Sequence, residues 1–91
     1  MRARRIVISG RVQGVGYRDW MCRQAQAMGL SGWVRNRSDG SVEALVDGDT
    51  AAVEELLRAC RSGPRLAVVT EIREDFADPP EEPGFLWLPT I

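Results

Sequence analysis

Residues 4–28 read RRIVISGRVQGVGYRDWMCRQAQAM, and within this stretch the spacing of apolar side chains changes from every second residue to every third or fourth. From Arg4 to Val12, Ile6, Ile8, Gly10 and Val12 fall on one side and Arg5, Val7, Ser9 and Arg11 on the other, the alternation of a half-buried strand. From about Arg18 to Met28, Tyr17, Met21, Ala25 and Met28 recur at helical intervals while Arg23, Gln24 and Gln26 fall off that stripe. This predicts an amphipathic helix, with Gly29 as its stop. A strand therefore passes into a helix through a glycine-rich junction.

The remaining chain follows from that start. Gly32 to Asn36 and Ser41 to Asp47 are predicted to pair as a hairpin across Arg37-Ser38-Asp39-Gly40, where Asp-Gly supplies the backbone freedom of a tight reversal. In the second arm Val42, Ala44 and Val46 make an apolar face, opposite Glu43, Leu45 and Asp47. A second helix follows Gly48-Asp49-Thr50: Asp49 or Thr50 can cap it, Val53, Leu56, Leu57 and Cys60 form its stripe, and Gly63-Pro64 ends it. Ala67 to Phe76 reads as a fourth strand with Val68, Thr70, Ile72 and Phe76 on one face. Three prolines make 78–84 a loop, and Phe85 to Leu88 is a short last strand that Pro89 assigns to a sheet edge. The order is that of an α+β, ferredoxin-like βαββαβ sandwich: an antiparallel sheet, two helices on one face and a short C-terminal strand, in a single domain spanning 1–91.

Composition narrows the function. A chain of 91 residues holds one domain and buries roughly 60–65% of its unfolded surface. Its 44% hydrophobic and 27% charged residues are those of a folded globular protein. The net charge of -1 gives no overall support for binding nucleic acid or an anionic membrane, so any anion site has to be local. The basic start is followed by only Ile6-Val7-Ile8 before Ser9-Gly10, too short an apolar run for a signal peptide or membrane span, which leads us to expect a cytoplasmic protein. The absence of histidine removes most zinc sites and every His-dependent triad, and no metal or cofactor is expected. Cys22 and Cys60 read as small buried apolar residues in a reducing compartment.

Chemistry concentrates at two places. In Gly10-Arg11-Val12-Gln13-Gly14-Val15-Gly16-Tyr17-Arg18 the glycines allow consecutive amide N–H groups to face one point. The helix N-terminus adds partial positive charge there, and Arg18 brings a planar fork for two phosphate oxygens. By itself the loop also fits an ordinary strand-to-helix turn with a solvated Arg18; it lacks the context of a dinucleotide fingerprint and the Gly-Lys-Ser/Thr of a Walker loop. The second place is Gly32-Trp33-Val34-Arg35-Asn36-Arg37-Ser38-Asp39-Gly40-Ser41-Val42. Asn36, at the end of a strand, carries a side chain that both donates and accepts and could place a water, or could bond to its own turn. Arg11, Arg35 and Arg37 read as solvated charges, and Trp33 and Tyr17 as core or rim packing.

Together the two segments resemble the signature of the acylphosphatase family, whose phosphate loop is similar to Gly-x-Val-Gln-Gly-Val-x-(Phe or Tyr)-Arg and whose second motif is similar to Gly-x-Val-x-Asn-x-x-Asp-Gly-x-Val. Both match without a gap, and the likeness runs from the first strand through the second helix. The resemblance implies that Arg18 and Asn36 are catalytic, Arg18 holding the phosphate and Asn36 orienting the attacking water. It also implies that the backbone of Gly14, Val15, Gly16, Tyr17 and Arg18 binds the substrate's phosphoryl oxygens. The departure is Phe85-Leu86-Trp87-Leu88-Pro89, apolar on both faces where the family commonly alternates apolar and charged residues.

Such chemistry needs no histidine: an acyl phosphate expels a carboxylate whose conjugate acid has a pKa of about 4, so no general acid has to assist. The expected partners are a small acyl phosphate and, as competing anions, inorganic phosphate or sulfate, and a monomer is expected. Two other readings compete. One is a carbamoyl-phosphate-handling accessory domain like that of hydrogenase maturation carbamoyltransferases, whose chains continue into cysteine-rich zinc motifs absent from these residues. The other is a non-catalytic binding module, for anions or RNA; RNA recognition by such a sheet calls for exposed aromatics on its central strands, and the first and third strands contain none.

Overall fold

The computed structural model describes residues 2–91. Seven elements follow one another: β1 (Ala3–Arg11), α1 (Tyr17–Ala27), β2 (Ser31–Asn36), β3 (Val42–Asp47), α2 (Thr50–Cys60), β4 (Val68–Ala77) and β5 (Phe85–Trp87). The sheet order is β4-β1-β3-β2-β5. The first four of these strands are antiparallel neighbours throughout, which is the expected βαββαβ arrangement. β5 arrives after the proline-rich loop at the free edge of β2 and pairs with it in parallel, Trp87 opposite Val34.

One face of the sheet receives both helices. Ile6, Ile8, Val34, Val42, Ala44, Val46 and Phe85 from the strands close on Tyr17, Met21, Cys22 and Ala25 of α1 and Val53, Leu56, Leu57 and Cys60 of α2. Each fully buried aliphatic side chain in this layer contributes about 1.5–3 kcal/mol. Asp49 caps α2 by accepting from the Ala52 amide at 3.3 Å, and Gly63, at φ 65°, ends it with its own amide on the Ala59 carbonyl. Both cysteines are free and buried, as their sequence context predicts. Among the described residues no helix is long and apolar enough to cross a membrane.

Strand β4 departs from the predicted alternation. Ser9 pairs with Glu71 but Gly10 pairs with Val69, so a bulge at Thr70 puts two β4 residues against one of β1. The face switches there: Val69 and Ile72 pack against the core, while Val68 and Phe76 are exposed. Phe76 keeps the phase of Ile72 but extends past the core, where the guanidinium groups of Arg2 and Arg4 lie over its ring.

The uncovered face of the sheet is also partly dry. Glu43 and Leu45 of the central strand are buried although no helix lies above them. Long side chains from the flanking strands fold over instead: Arg5 bonds to Glu43 Oε2 at 2.6 Å and Arg35 to Oε1 at 2.8 Å. Arg35, expected to be a solvated charge, is thus half of a clamp, and its guanidinium also stacks on Trp33 at 4.5 Å. Burial by itself would raise the Glu43 pKa, but the hydrogen bonds and positive charges of Arg35 and Arg5 hold it below the ordinary carboxylate value.

Candidate active site

The junction between β1 and α1 is built by alternating backbone signs. Gly14 has φ 74° and Gly16 φ 77°, whereas no residue other than glycine has positive φ among the described residues, so Val15 between them is negative. A Cβ at either glycine would meet no atom within 4 Å beyond its chain neighbours; the demand for glycine is therefore one of backbone torsion and not of space. Alternation of this kind turns successive N–H groups toward a common side. Gly16 is the N-cap of α1 with no side-chain cap, and the first amide of this region to find a backbone acceptor is that of Trp20, on the Gly16 carbonyl at 3.0 Å. The amides from Gly14 to Asp19 are left as donors without a protein acceptor among the described residues.

Around this loop lies an open cavity of about 170 Å³, lined by Val12, Gln13, Gly14, Gly16, Tyr17, Arg18, Asp19, Asn36 and Trp87. Arg18 and Asn36, expected from the sequence to work together, meet here, brought from the start of α1 and the end of β2. Arg18 donates through Nη1 to the Leu88 carbonyl at 3.1 Å, and its guanidinium carbon sits 4.1 Å from the centre of the Trp87 ring. One face and one corner of the fork are engaged, leaving other N–H groups for a ligand. The Asn36 carbonyl is held by the Ile91 amide at 3.1 Å. Val15, named with the loop, is partly buried against the core cluster and does not line the cavity.

Tyr17 belongs to the framework. It is 2% exposed and its hydroxyl donates to the Cys60 carbonyl at 2.5 Å, tying the start of α1 to the end of α2. Burial, followed by its contact with Cys60, pushes the phenol well above its ordinary range, so it stays neutral. The Cys60 thiol is likewise pushed up by burial, to about 12, which makes it inert as a nucleophile.

The acylphosphatase family model matches residues 4–86. The chain belongs to the acylphosphatase family. A curated acylphosphatase of Acidiphilium cryptum is 65% identical over 86 residues, 94% of each chain. The crystal structure of acylphosphatase from Bacillus subtilis has a TM-score of 0.90 at 36% identity, covering 97% of this chain and 99% of that one. A crystal structure of full-length HypF in a phosphate- and nucleotide-bound form contains the same fold, with a TM-score of 0.89 at 33% identity over 98% of this chain but 12% of that one. The chain is an enzyme of the acylphosphatase family.

Two residues of this cavity hold positions that the sequence reading did not assign. Gln13 donates from Nε2 to the carbonyls of Arg37 and Ser41, at 2.8 and 2.9 Å, fastening the glycine loop to the turn after Asn36. Its place inside the quoted motif, directly after core-facing Val12, is the available signal. Trp87 reaches the cavity from the far end of the chain, and the apolarity of both faces of its short strand was the only hint.

Proposed function

We propose that this enzyme hydrolyses the carboxyl-phosphate anhydride of acyl phosphates, giving a carboxylate and inorganic phosphate. The loop amides from Gly14 to Arg18 and the Arg18 fork hold the phosphoryl oxygens, and the Asn36 carboxamide orients a water for direct attack on phosphorus. The P–O bond to the acyl group breaks as the water's oxygen bonds to phosphorus, and the electron pair leaves with the carboxylate. The water's protons end on phosphate and solvent. A loose transition state of this kind asks mainly for position and for positive charge around the equatorial oxygens. Amides and a guanidinium are able to supply both.

The observation that carries this reading is the convergence of Arg18, Asn36 and the unpartnered loop amides on one cavity. The names of the relatives support the substrate class. The test is an assay with acetyl phosphate or benzoyl phosphate after chelator treatment, beside a phosphomonoester control. Only the anhydrides are expected to be cleaved, with inorganic phosphate and sulfate competing. Equal cleavage of the monoester, dependence on added metal, or no inhibition by either anion would count against the mechanism.

A further inference from the structure

We propose that Trp87 is a specificity-determining residue: its indole is the platform on which the acyl group of the substrate lies, so that the enzyme favours flat or extended apolar acyl phosphates over acetyl phosphate. This rests on the acyl phosphate reading above and adds to it the part of the substrate that the phosphate loop does not touch.

Once the phosphoryl end is in the loop, the acyl end has to project out of the cavity and across whatever surface borders it. The cavity is about 170 Å³, small for a whole substrate. Among the large apolar residues lining it, Val12 is 1% and Tyr17 2% exposed, whereas Trp87 is 52% exposed. Val12 and Tyr17 are spent on the core, and Trp87 alone of the three offers apolar surface to a ligand. Its neighbour Leu86 cannot share the task, because successive residues of a strand point to opposite faces and Trp87 takes the helix-covered side together with buried Phe85.

The position of the ring is also well defined. Trp87 pairs with Val34 across the parallel edge, two residues before Asn36, and the adjacent Leu88 amide bonds to the Val34 carbonyl at 2.9 Å. The Arg18 guanidinium, 4.1 Å from the ring centre, braces the indole on one side. An acyl group attached to a phosphate held by Arg18 therefore starts beside the ring, and burying aromatic or aliphatic surface on an already ordered indole costs little conformational entropy.

The experiment compares kcat/KM for benzoyl and acetyl phosphate in the wild-type enzyme, Trp87→Phe and Trp87→Ala. The expected result is a wild-type preference for benzoyl phosphate that Trp87→Ala narrows by about 3–10-fold, the range of one lost aromatic contact, and that Trp87→Phe largely retains. An equal proportional loss on both substrates in Trp87→Ala would mean that the ring serves only to brace Arg18, and would overturn the proposal. Should Trp87→Ala fail to fold, the KM of the wild-type enzyme across acetyl, butyryl and benzoyl phosphate decides: a fall along the series supports the platform and a flat series rejects it. Failure to cleave any of the three would end the parent reading as well, whereas cleavage without discrimination removes the platform alone.

Discussion

The Nε2 atom of Gln13 donates to the Arg37 carbonyl at 2.8 Å and so joins the glycine loop to the turn that follows Asn36. A second bond from the same nitrogen, to the Ser41 carbonyl, spans that turn from its first residue to its end. The spacing between the amide cradle and Asn36 thus depends on one carboxamide as well as on the sheet. Gln13→Ala is expected to lower stability by about 1–2 kcal/mol, two ordinary hydrogen bonds, seen as a reduced urea midpoint at unchanged m-value. It should also lower kcat by roughly 10-fold, since a small misplacement of bound groups is costly. Full turnover with the expected loss of stability would show that the clamp is structural only.

Arg18→Lys tests the fork. Lysine keeps the charge but presents one compact ammonium, which cannot match two phosphate oxygens in a plane. A fall of roughly 10³-fold in kcat/KM is expected, by comparison with arginines that stabilise phosphoryl transfer. Thermal melting should move little, because Arg18 is only partly buried. Near-wild-type activity in this variant would remove Arg18 from the proposed mechanism.

For Asn36→Ala the expected loss is on the order of 10²-fold in kcat, with a smaller effect on KM. The substitution leaves intact the bond from the Ile91 amide to the Asn36 carbonyl, so the strand end keeps its anchor. A large rise in KM at constant kcat would instead make Asn36 a substrate-binding group.

Glu43 supplies a pH dependence. Its folded pKa lies below the ordinary carboxylate value of 4.5, so between the two values the folded state binds fewer protons than the unfolded chain. The stability it contributes is full above about pH 4.5 and is lost as the pH falls through the lower, folded value. Urea midpoints measured from about pH 5 down to about pH 3 should fall, and should fall less steeply in Glu43→Gln. That variant should also be less stable at neutral pH by about 1–3 kcal/mol, less than for a fully enclosed pair because Arg5 and Arg35 stay partly in water. An identical slope in both proteins would assign the acid sensitivity to other carboxylates.

What could be read from the sequence was what local chemistry dictates. Alternation points to β1, helical spacing to both helices, and glycine with Asp-Gly to the turns; the loop and Asn36 each also fit an ordinary turn, and they stand out only when taken together as the two motifs of one family signature. The faces of β4 do not follow its alternation because the bulge at Thr70 is a property of the β1 and β4 pair and leaves no mark on β4 alone. Arg35 reads as a solvated charge because its one partner, Glu43, which it shares with Arg5, is brought to it only by the fold. Trp87 was illegible for the same reason, its partner Arg18 being contributed by a distant helix.

The neighbours of Arg18 have a consequence for synthesis. The arginine and the carbonyl it bonds to are separated by 70 residues, whereas the Gln13 bonds close after 24 and 28. A chain emerging from the ribosome can therefore draw the glycine loop against the hairpin early. The bond from Arg18 to the Leu88 carbonyl can close only after that last segment has followed, so the orientation of the guanidinium is fixed late in folding.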